Sequence, residues 1–361
     1  MLVSGSPWAG RRVLITGHTG FKGGWLSLWL HALGAEVTGF ALPAVDHSFF
    51  EEVRLGELVK HIEGDVRDFE AVRAAVRDSR PEIVFHLAAQ PLVRLSYDQP
   101  VETYATNVMG TVHVLEACRN ADGLLGVVCV TSDKCYENRE QNEPYREDDA
   151  MGGYDPYSSS KSAAELVVSA YRRSFFGKGA LIASTRAGNV IGGGDWAEDR
   201  LVPDIIRALL AGTPPVIRNP GSIRPWQHVL DALSGYLLVA ERLLHGGKEA
   251  ACGWNFGPAD DDTQPVGWIV EQMLGEWGGC NGWEKPSGSQ PHEATLLKLD
   301  SSKARAELGW RPKLPLEDAL RKVVEWHLQV ATGADPRTVS LKQLSDYEGW
   351  KNVVIDQAYA A

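Results

Sequence analysis

Short, almost uniformly apolar runs alternate with longer amphipathic runs through the first half of the chain. Strands that are apolar on both faces are typical of a parallel sheet covered by helices on both sides. The predicted strands are residues 12–16, 36–40, 61–64, 83–87 and 127–130. The intervals predict helices, for example over residues 22–33, 70–77 and 101–118. This alternation predicts an α/β fold with a doubly wound, Rossmann-type parallel sheet.

The regular alternation weakens after about residue 190. Gly, Pro and Trp become frequent there, as in IGGGDWAEDR (191–200) and NPGSIRPWQH (219–228). This composition predicts a smaller, loop-rich substrate domain that covers the carboxyl ends of the strands. We expect residues 1–188 plus about 219–255 to form the Rossmann domain, and about 189–218 plus 256–361 to form the second domain.

Composition narrows the possible classes of function. With 361 residues, 44% hydrophobic and 23% charged, the chain resembles an ordinary globular protein. Its formal net charge of −11 argues against a nucleic-acid partner, which would need basic patches. We expect no signal peptide and no membrane span, because no run approaches the ~18 apolar residues of a spanning helix. The five scattered cysteines lack metal-ligand spacing, so we expect free thiols, no metal site and a cytoplasmic location.

A glycine-rich turn joins the first strand to the first helix, with the spacing GxxGxxG. Glycine is needed where a tight turn brings the backbone close to a pyrophosphate, which the N–H groups of the helix N-terminus then bind. The position of the turn, at the first strand–helix junction, is the context that a dinucleotide site requires. The candidate cofactor residues of this turn are Gly17, His18, Thr19, Gly20, Phe21, Lys22 and Gly23.

The ends of the next strands add candidates for the same site. No acidic residue directly follows the second strand to hold an adenosine ribose, and the nearest is Asp46. No arginine is there for a 2′-phosphate either, which favours NAD over NADP. After the third strand, Asp65 and Val66 are placed for the adenine. After the fourth strand, small residues leave space for a cofactor; the candidates are Leu87, Ala88 and Ala89.

Tyr157 and Lys161 form a YxxxK pair at the start of an apolar helical run. At positions i and i+4, the phenol and the amine share one helix face. A neighbouring ammonium favours the phenolate, so we expect the pKa of Tyr157 to be lowered toward neutrality. Such a tyrosine can take a proton from an alcohol while a nicotinamide takes the hydride.

The fifth strand is followed by Ser132, Asp133 and Lys134, which place a hydroxyl, a carboxylate and an amine side by side. Two interpretations are open from the residues alone. Ser and Asp are common in surface turns. At the carboxyl end of a central strand, the same side chains would instead supply an acid and a base to a bound substrate.

These motifs are similar to those of a known family. The matching stretches are GHTGFKGGWL (17–26), HLAAQPLVRLSYDQP (86–100), TNVMGTVHVLEA (106–117), TSDKCY (131–136), YDPYSSSKSAAE (154–165), RAGNVIGGGDWAEDRLVPDIIRA (186–208), RPWQHVLD (224–231), WNFGP (254–258) and LDSSKARAELGW (299–310). The chain resembles the extended short-chain dehydrogenase/reductases and, within their nucleotide-sugar dehydratase and epimerase family, the CDP-glucose 4,6-dehydratases. The resemblance covers roughly residues 10 to 330.

The resemblance implies a lyase that uses NAD and converts CDP-D-glucose to CDP-4-keto-6-deoxy-D-glucose and water. A transient ketone at C4 makes the C5 proton acidic, water leaves across C5 and C6, and the hydride returns to C6. Asp133 is the expected acid for the C6 hydroxyl, and Ser132 is expected to hydrogen-bond the C4 oxygen beside Tyr157. Lys134 stands where dTDP-glucose dehydratases carry a glutamate base. It would be the C5 base, directly or through water, if desolvation or Lys161 lowers its pKa, or it would polarise the C4 ketone.

The resemblance also places substrate contacts. Asn189, Arg224 and Asn255 occupy positions that contact the nucleotide diphosphate in this family, where Arg and Asn donate N–H groups. Further candidates for nucleotide or sugar contacts are Gln90, Arg94 and His292. A structural role for these last residues stays open.

Proteins of this family pair two helices across a two-fold axis to form a four-helix bundle. The predicted helices 101–118 and 157–175 carry apolar residues beyond one stripe, including Val112, Leu115, Val168 and Phe175. We therefore expect a homodimer, although a monomer stays open.

Two other functions fit parts of the pattern. A nucleotide-sugar 4-epimerase shares the fold, the cofactor and the Tyr–Lys pair, but it needs no acid–base pair at C5 and C6. A non-catalytic NAD-sensing protein would have no use for Tyr157 and Lys161. The doublet Asp133-Lys134 therefore favours the lyase, whose product would serve deoxysugar synthesis for surface lipopolysaccharide.

Overall fold

A computed structural model describes residues 5–177, 179–259, 262–278, 282–285 and 297–350. The strands are β1 Arg12–Thr16, β2 Glu36–Ala41, β3 Lys60–Glu63, β4 Ile83–His86, β5 Gly126–Val130, β6 Leu181–Ala187, β7 Asn189–Ile191, β8 Ile223–His228, β9 Gly253–Phe256 and β10 Thr263–Pro265. The larger sheet has the order β3-β2-β1-β4-β5-β6-β9, and all of its strand pairs are parallel.

The predicted doubly wound parallel sheet is confirmed. All the strands predicted in the first half are present, and their bounds differ from the predicted ones by at most one residue. The strands β4, β5 and β6 are buried along their whole length, which explains why their sequences do not alternate. The strand order reverses between β1 and β4, and in such sheets ligands bind at the carboxyl ends of the strands beside this reversal.

Helices cover both faces of this sheet. They are α1 Phe21–Ala32, α2 Phe49–Glu52, α3 Phe69–Ser79, α4 Val93–Asp98, α5 Pro100–Tyr104, α6 Gly110–Arg119, α7 Pro156–Ser174, α8 Leu201–Leu210, α9 Val229–Leu244, α10 Val266–Trp277, α11 Leu316–Ala331 and α12 Pro336–Glu348. Helices α1 and α9 contribute to the core on one face, and α3, α6 and α7 to the core on the other. Because β1, β4 and β5 are parallel neighbours, the glycine turn after β1 and the segment after β5 lie at the same edge of the sheet.

The predicted helix 101–118 is interrupted. It consists of α5, a π-helical turn at Ala105–Met109, and α6. Buried Asn107 lies in this turn, accepts a hydrogen bond from the Gln90 backbone N–H (2.8 Å) and donates one to Ser160 Oγ (2.8 Å). The wider turn thus coincides with a polar link to α7, in keeping with the frequent occurrence of π-turns at functional sites.

The apolar residues predicted to lie beyond one stripe of the helices fall into two groups. Leu115 and Val168 are fully buried in the core between the helices and the sheet, so they are not available to a helix pair across a two-fold axis. Phe175 is 50% exposed and Val112 is half-buried. A helix with apolar residues on two faces uses one of them for its own core, which sequence periodicity alone does not assign.

The second half of the chain adds a smaller sheet of order β10-β8-β7. It shares a core with helices α8, α10 and α11. The predicted Rossmann domain includes residues 219–255. Within this range, β8 belongs to the smaller sheet, where it pairs with β7 and β10, and β9 belongs to the larger sheet, where it pairs with β6. Helix α9 connects the two strands. The division into two domains stays a prediction.

Among the described residues, no helix has the length and apolar character that crossing a bilayer requires. Within the same ranges, no three or more His, Cys, Asp or Glu side chains are grouped so that they could hold a metal ion. The described cysteines are free thiols; they are Cys118, Cys129, Cys135 and Cys252.

Candidate functional site

The glycine turn is packed too tightly for other residues. Gly17 has φ +78° and donates its N–H to the Phe40 carbonyl (2.9 Å). A Cβ on Gly17 would lie 2.7 Å from the Ala88 nitrogen, and one on Gly23 would lie 2.2 Å from the Gly17 carbonyl oxygen. Contacts this short force the backbone to move, so both positions require glycine.

The first turn of α1 leaves its N–H groups available to an anion. Gly20 precedes the helix without a side-chain cap, and the first turn, beginning at Phe21, contains no acidic residue. This arrangement fits a pyrophosphate. Lys22 adds a partly neutralised amine, because burial, together with the charges of Lys161 and Arg200, lowers its pKa to about 7.

Two side chains of the turn face the protein. His18 is fully buried, its Nε2 lies 2.7 Å from His61 Nδ1, and burial lowers its pKa to about 3. A Cβ on Gly39 would lie 2.2 Å from the His18 ring, so β2 leaves space for that ring only because residue 39 is glycine. Thr19 Oγ1 donates to the Leu42 carbonyl (3.1 Å). These side chains fix the turn against β2, and a cofactor contact by residues 18 and 19 would use their backbone.

Asp65 follows β3 and forms an ion pair with Arg67. Its carboxylate accepts hydrogen bonds from the Arg67 backbone (2.8 Å) and guanidinium (2.6 Å), which lower the pKa of Asp65. Val66 is buried, and its carbonyl lies 2.8 Å from His113 Nδ1. Contacts of Asp65 and Val66 with an adenine stay a prediction.

The segment after β4 lies directly beside the glycine turn. The Leu87 N–H donates to the Thr16 carbonyl (3.0 Å), and the Ala88 N–H donates to Thr16 Oγ1 (3.3 Å). This keeps residues 87–89 along β1. Space for a cofactor beside Leu87, Ala88 and Ala89 stays a prediction.

Tyr157 and Lys161 are both buried on α7. Burial raises the pKa of Tyr157 to about 12, although a hydrogen bond with Ser132 acts in the opposite direction. Burial also lowers the pKa of Lys161 to about 8. The expected lowering of the Tyr157 pKa is wrong for this structure, because desolvation disfavours both charged forms and outweighs nearby positive charge.

The Ser132–Lys134 segment combines both interpretations of its sequence. Asp133–Cys135 forms a 3₁₀ turn, and Ser132 Oγ accepts the Lys134 N–H (3.2 Å), as in an ordinary cap. Asp133 is nevertheless only 5% exposed, and its Oδ1 accepts a hydrogen bond from Ser132 Oγ (2.9 Å). The carboxyl is therefore not a solvated turn residue.

The surroundings of Asp133 favour its protonated form. Burial raises its pKa, while the positive charges of Lys134 and Arg224 and the Ser132 hydrogen bond act against the rise. A Cβ on Gly188 would lie 3.2 Å from Asp133 Oδ2, so the carboxyl lies beside the start of β7. A buried carboxyl with a raised pKa can hold a proton and deliver it.

The predicted substrate residues lie in different surroundings. Asn189 begins β7 and pairs in register with Trp226 of β8, two residues after Arg224. Arg94 forms a partly exposed ion pair with Asp199 (3.4 Å). These positions flank Asp133 or the loop 192–200, and their contacts with a ligand stay predictions.

The side chain of Gln90 forms hydrogen bonds within the segment that follows β4. Its side chain donates to the Leu92 carbonyl (3.1 Å) and to Thr103 Oγ1 (2.9 Å) and accepts from the Leu92 N–H (2.5 Å). This favours the structural alternative for Gln90. His292 lies outside the described residues.

The contacts of Asn255 do not fit the expected role of this residue as a diphosphate ligand. It is fully buried; its Oδ1 accepts the Tyr136 hydroxyl (2.7 Å), and its Nδ2 donates to the carbonyls of Tyr145 (2.9 Å) and Asp300 (3.3 Å). No donor of this side chain is left for a diphosphate. The side chain of Asn255 therefore connects Tyr136, Tyr145 and Asp300, and it is not a ligand of the substrate.

Several charged residues at this edge, three of them buried, were not identified from the sequence. Arg200 pairs with Asp195 (3.0 Å) in the GGGDWAEDR stretch, and its positive charge acts on Tyr157. Glu165 and Arg186 form a second pair (2.8 Å), and both side chains are almost fully buried. The sequence did carry one signal: Glu165 lies four residues after Lys161, on the same face of α7.

The parallel sheet, the glycine turn and the buried Tyr–Lys pair define a short-chain dehydrogenase/reductase of the extended type. The family profile described as GDP-mannose 4,6 dehydratase matches residues 14–323. The chain belongs to this family of nucleotide-sugar dehydratases.

Similar proteins support this assignment. The CDP-glucose 4,6-dehydratase of Salmonella typhimurium is 54% identical over 94% of this chain and 97% of its own. The dTDP-D-glucose 4,6-dehydratase of Mus musculus is 27% identical, with 90% and 91% covered. A UDP-glucose 4-epimerase of Thermus thermophilus, solved in complex with NAD, is 28% identical; the TM-score is 0.76, with 90% of this chain and 99% of that chain covered.

The tight glycine turn makes a prediction about stability. Gly17→Ala should lower the free energy of unfolding by about 1–3 kcal/mol more than Gly123→Ala does. Both glycines have positive φ (+78° and +76°), but a Cβ on Gly123 meets nothing within 4 Å, so the control isolates the clash with Ala88. Chemical denaturation of both variants measures the difference, and equal losses would contradict the described packing.

Proposed function

We propose that this protein is a lyase that converts CDP-D-glucose to CDP-4-keto-6-deoxy-D-glucose and water, with NAD as its cofactor. The observation that carries the proposal is the buried carboxyl of Asp133, whose pKa is raised and which accepts a hydrogen bond from Ser132, a residue that also acts on the pKa of Tyr157. A plain oxidoreductase has no need of a proton-holding acid beside its redox tyrosine. The 54% identity with a CDP-glucose 4,6-dehydratase supports the same substrate.

The residues at the carboxyl edge fit NAD. The uncapped N-terminus of α1 would hold the pyrophosphate, and Gly17 and Gly23 give it the necessary close approach. Bound there, NAD would supply a reversible hydride acceptor for C4 of the sugar and the hydride donor for C6. The lack of an arginine after β2 favours NAD, which the Thermus thermophilus epimerase also contains.

The first half of the reaction falls to Tyr157, Ser132 and Lys161. Tyr157 takes the proton of the C4 hydroxyl as a phenolate, while Ser132 hydrogen-bonds the C4 oxygen. Because burial raises the pKa of Tyr157 to about 12, the phenolate depends on nearby positive charge. With its pKa near 8, Lys161 supplies that charge at neutral pH and loses it as the pH rises through 8.

The second half falls to Asp133 and Lys134. Once C4 is a ketone, the C5–H bond breaks, its proton passes to a base, and the C6 hydroxyl leaves as water with the proton of Asp133. Lys134 is the candidate base, directly or through water, and polarising the C4 ketone is its alternative role. Arg224, beside Asp133, and Asn189 would bind the diphosphate, with Arg94 as a further candidate.

The substrate assignment is tested with four nucleotide sugars. Incubation with CDP-, dTDP-, UDP- and GDP-glucose should give the base-induced ultraviolet absorbance of a 4-keto sugar with CDP-glucose and far less with the others. A 4-epimerase leaves no ketone and would instead give a galactose nucleotide. Binding of NAD without turnover of any of these sugars would support the non-catalytic alternative.

The division of roles is tested by two variants. Tyr157→Phe should abolish C4 oxidation while NAD binding is kept, and Asp133→Asn should slow water loss by roughly 100-fold or more while NADH still forms. Because burial raises the pKa of Asp133 and only its protonated form can deliver a proton, water loss should fall as the pH rises through that pKa. Single-turnover absorbance of NADH, beside ketone product, measures both steps. Equal loss of both steps in Asp133→Asn would show that the acid lies elsewhere.

We further propose a homodimer through a four-helix bundle of α5–α6 and α7 from each subunit. Exposed apolar residues on these helices support it, namely Val101 (74%), Met109 (47%), Leu166 (61%) and Phe175 (50%). Burying them against a second copy removes apolar area from water.

Sedimentation equilibrium should give a dimer for the wild type and a monomer for Leu166→Asp. Leu210→Asp is the control, because Leu210 is an exposed leucine on α8, outside the proposed bundle. A wild-type monomer would refute the bundle.

The proposed product is a precursor for deoxysugars of surface lipopolysaccharide, made in the cytoplasm. The free thiols of the described cysteines agree with a reducing compartment.

A further inference from the structure

We infer that Glu165 and Arg186 are positioning residues that fix the acid–base loop 131–136 to the helix carrying Tyr157 and Lys161. This inference rests on the proposed function. With Thr131 and Tyr136, the two residues form what we call the buried clamp. It links the groups for oxidation at C4 to those for water loss across C5 and C6.

The clamp begins on α7. Tyr157, Lys161 and Glu165 follow one another at intervals of four residues and share one face of the helix. Glu165 Oε1 accepts the hydroxyl of Thr131 (2.5 Å), the residue immediately before Ser132. The start of the acid–base loop is thereby tied directly to α7.

The other end of the loop is tied through Arg186 of β6. Its Nε and Nη2 donate to the two carboxylate oxygens of Glu165 (2.9 and 2.8 Å), a bidentate pair. Its Nη1 donates to the Tyr136 hydroxyl (2.5 Å). Asp133 and Lys134 therefore lie between two residues that the same ion pair holds.

The electrostatics keep the clamp charged. Burial alone would raise the pKa of Glu165. The positive charge of Arg186 and the hydrogen bonds that Glu165 accepts outweigh burial and hold this pKa below its ordinary value. Glu165, together with Cys135 and Tyr136, raises the pKa of Arg186 despite its burial. A buried pair of this kind is rigid because moving either partner would leave a charge unpaired.

Placement of the clamp predicts an unequal effect on the two steps. Tyr157 and Lys161 belong to α7 itself and keep their positions when the loop loosens. Asp133 reaches C6 only if the loop is held, and displacement of a reacting group by about 1 Å can cost 100-fold in rate. Of the groups for C4 oxidation, only Ser132 lies in the loop, so loosening the clamp should slow water loss more than C4 oxidation.

Thr131→Val and Tyr136→Phe loosen the loop and leave the Glu165–Arg186 pair in place. Ser184→Ala is a matched control, because Ser184 Oγ also donates to Glu165 (2.8 Å) but belongs to β6, not to the loop. Single-turnover reactions of the NAD-loaded enzyme with CDP-glucose measure NADH formation and ketone product. We expect the rate of product formation to fall about 10- to 100-fold in the loop variants, with a clearly smaller fall in the rate of NADH formation. Ser184→Ala should keep the wild-type ratio of the two rates.

Hydrogen exchange separates this inference from the proposed function. Amide exchange in residues 131–137 should rise in Thr131→Val and Tyr136→Phe but not in Ser184→Ala, whatever the substrate. Faster exchange with an unchanged ratio of rates, or an equal fall of both rates, would overturn the positioning role. Unchanged exchange would overturn the clamp itself. A wild type that makes no ketone would overturn the proposed function, and the exchange result would still decide the clamp.

Discussion

The ion pair of Glu165 with Arg186 joins three parts of the chain that must keep their relative positions for the proposed reaction. Glu165 belongs to α7, Arg186 to β6, and through Thr131 and Tyr136 the pair holds the loop after β5. A dehydratase that borrows a hydride must oxidise one carbon of a sugar and remove water from the next two without releasing it. Its two groups of acid–base residues therefore need a fixed separation, which a buried bidentate pair can supply.

Burial also determines the chemistry of the site. Desolvation raises the pKa of Asp133 and Tyr157 and lowers that of Lys161 and Lys22. The shift of Asp133 brings its proton affinity closer to those of the amines, whereas the pKa of Tyr157, raised to about 12, and the pKa of Lys161, lowered to about 8, move apart. Proton transfer between groups of similar affinity is favourable for general acid–base catalysis near neutral pH. The parallel sheet makes this possible, because it gathers the residues after β1, β4, β5 and β6 at one covered edge.

The sequence predicts the parts of this structure that depend on local pattern. Apolar runs locate the strands because each is buried on both faces, and the glycine spacing locates the turn because residue 17 requires a positive φ. Non-local contacts are not predictable in this way. Asn255 looks like a ligand until Tyr136 and Tyr145 are seen to occupy its amide. Likewise, the YxxxK pair predicts a lowered tyrosine pKa, but the depth of burial, which depends on the whole fold, reverses the shift.

The proposal depends most directly on a hydride that never leaves the bound sugar and cofactor. CDP-glucose labelled with deuterium at C4 tests this in a single analysis of the product by NMR and mass spectrometry. We expect the label to be transferred to C6 of the 4-keto-6-deoxy sugar within the same molecule, while C5 takes a proton from water. Deuterium kept at C4, or released into the solvent, would contradict the account.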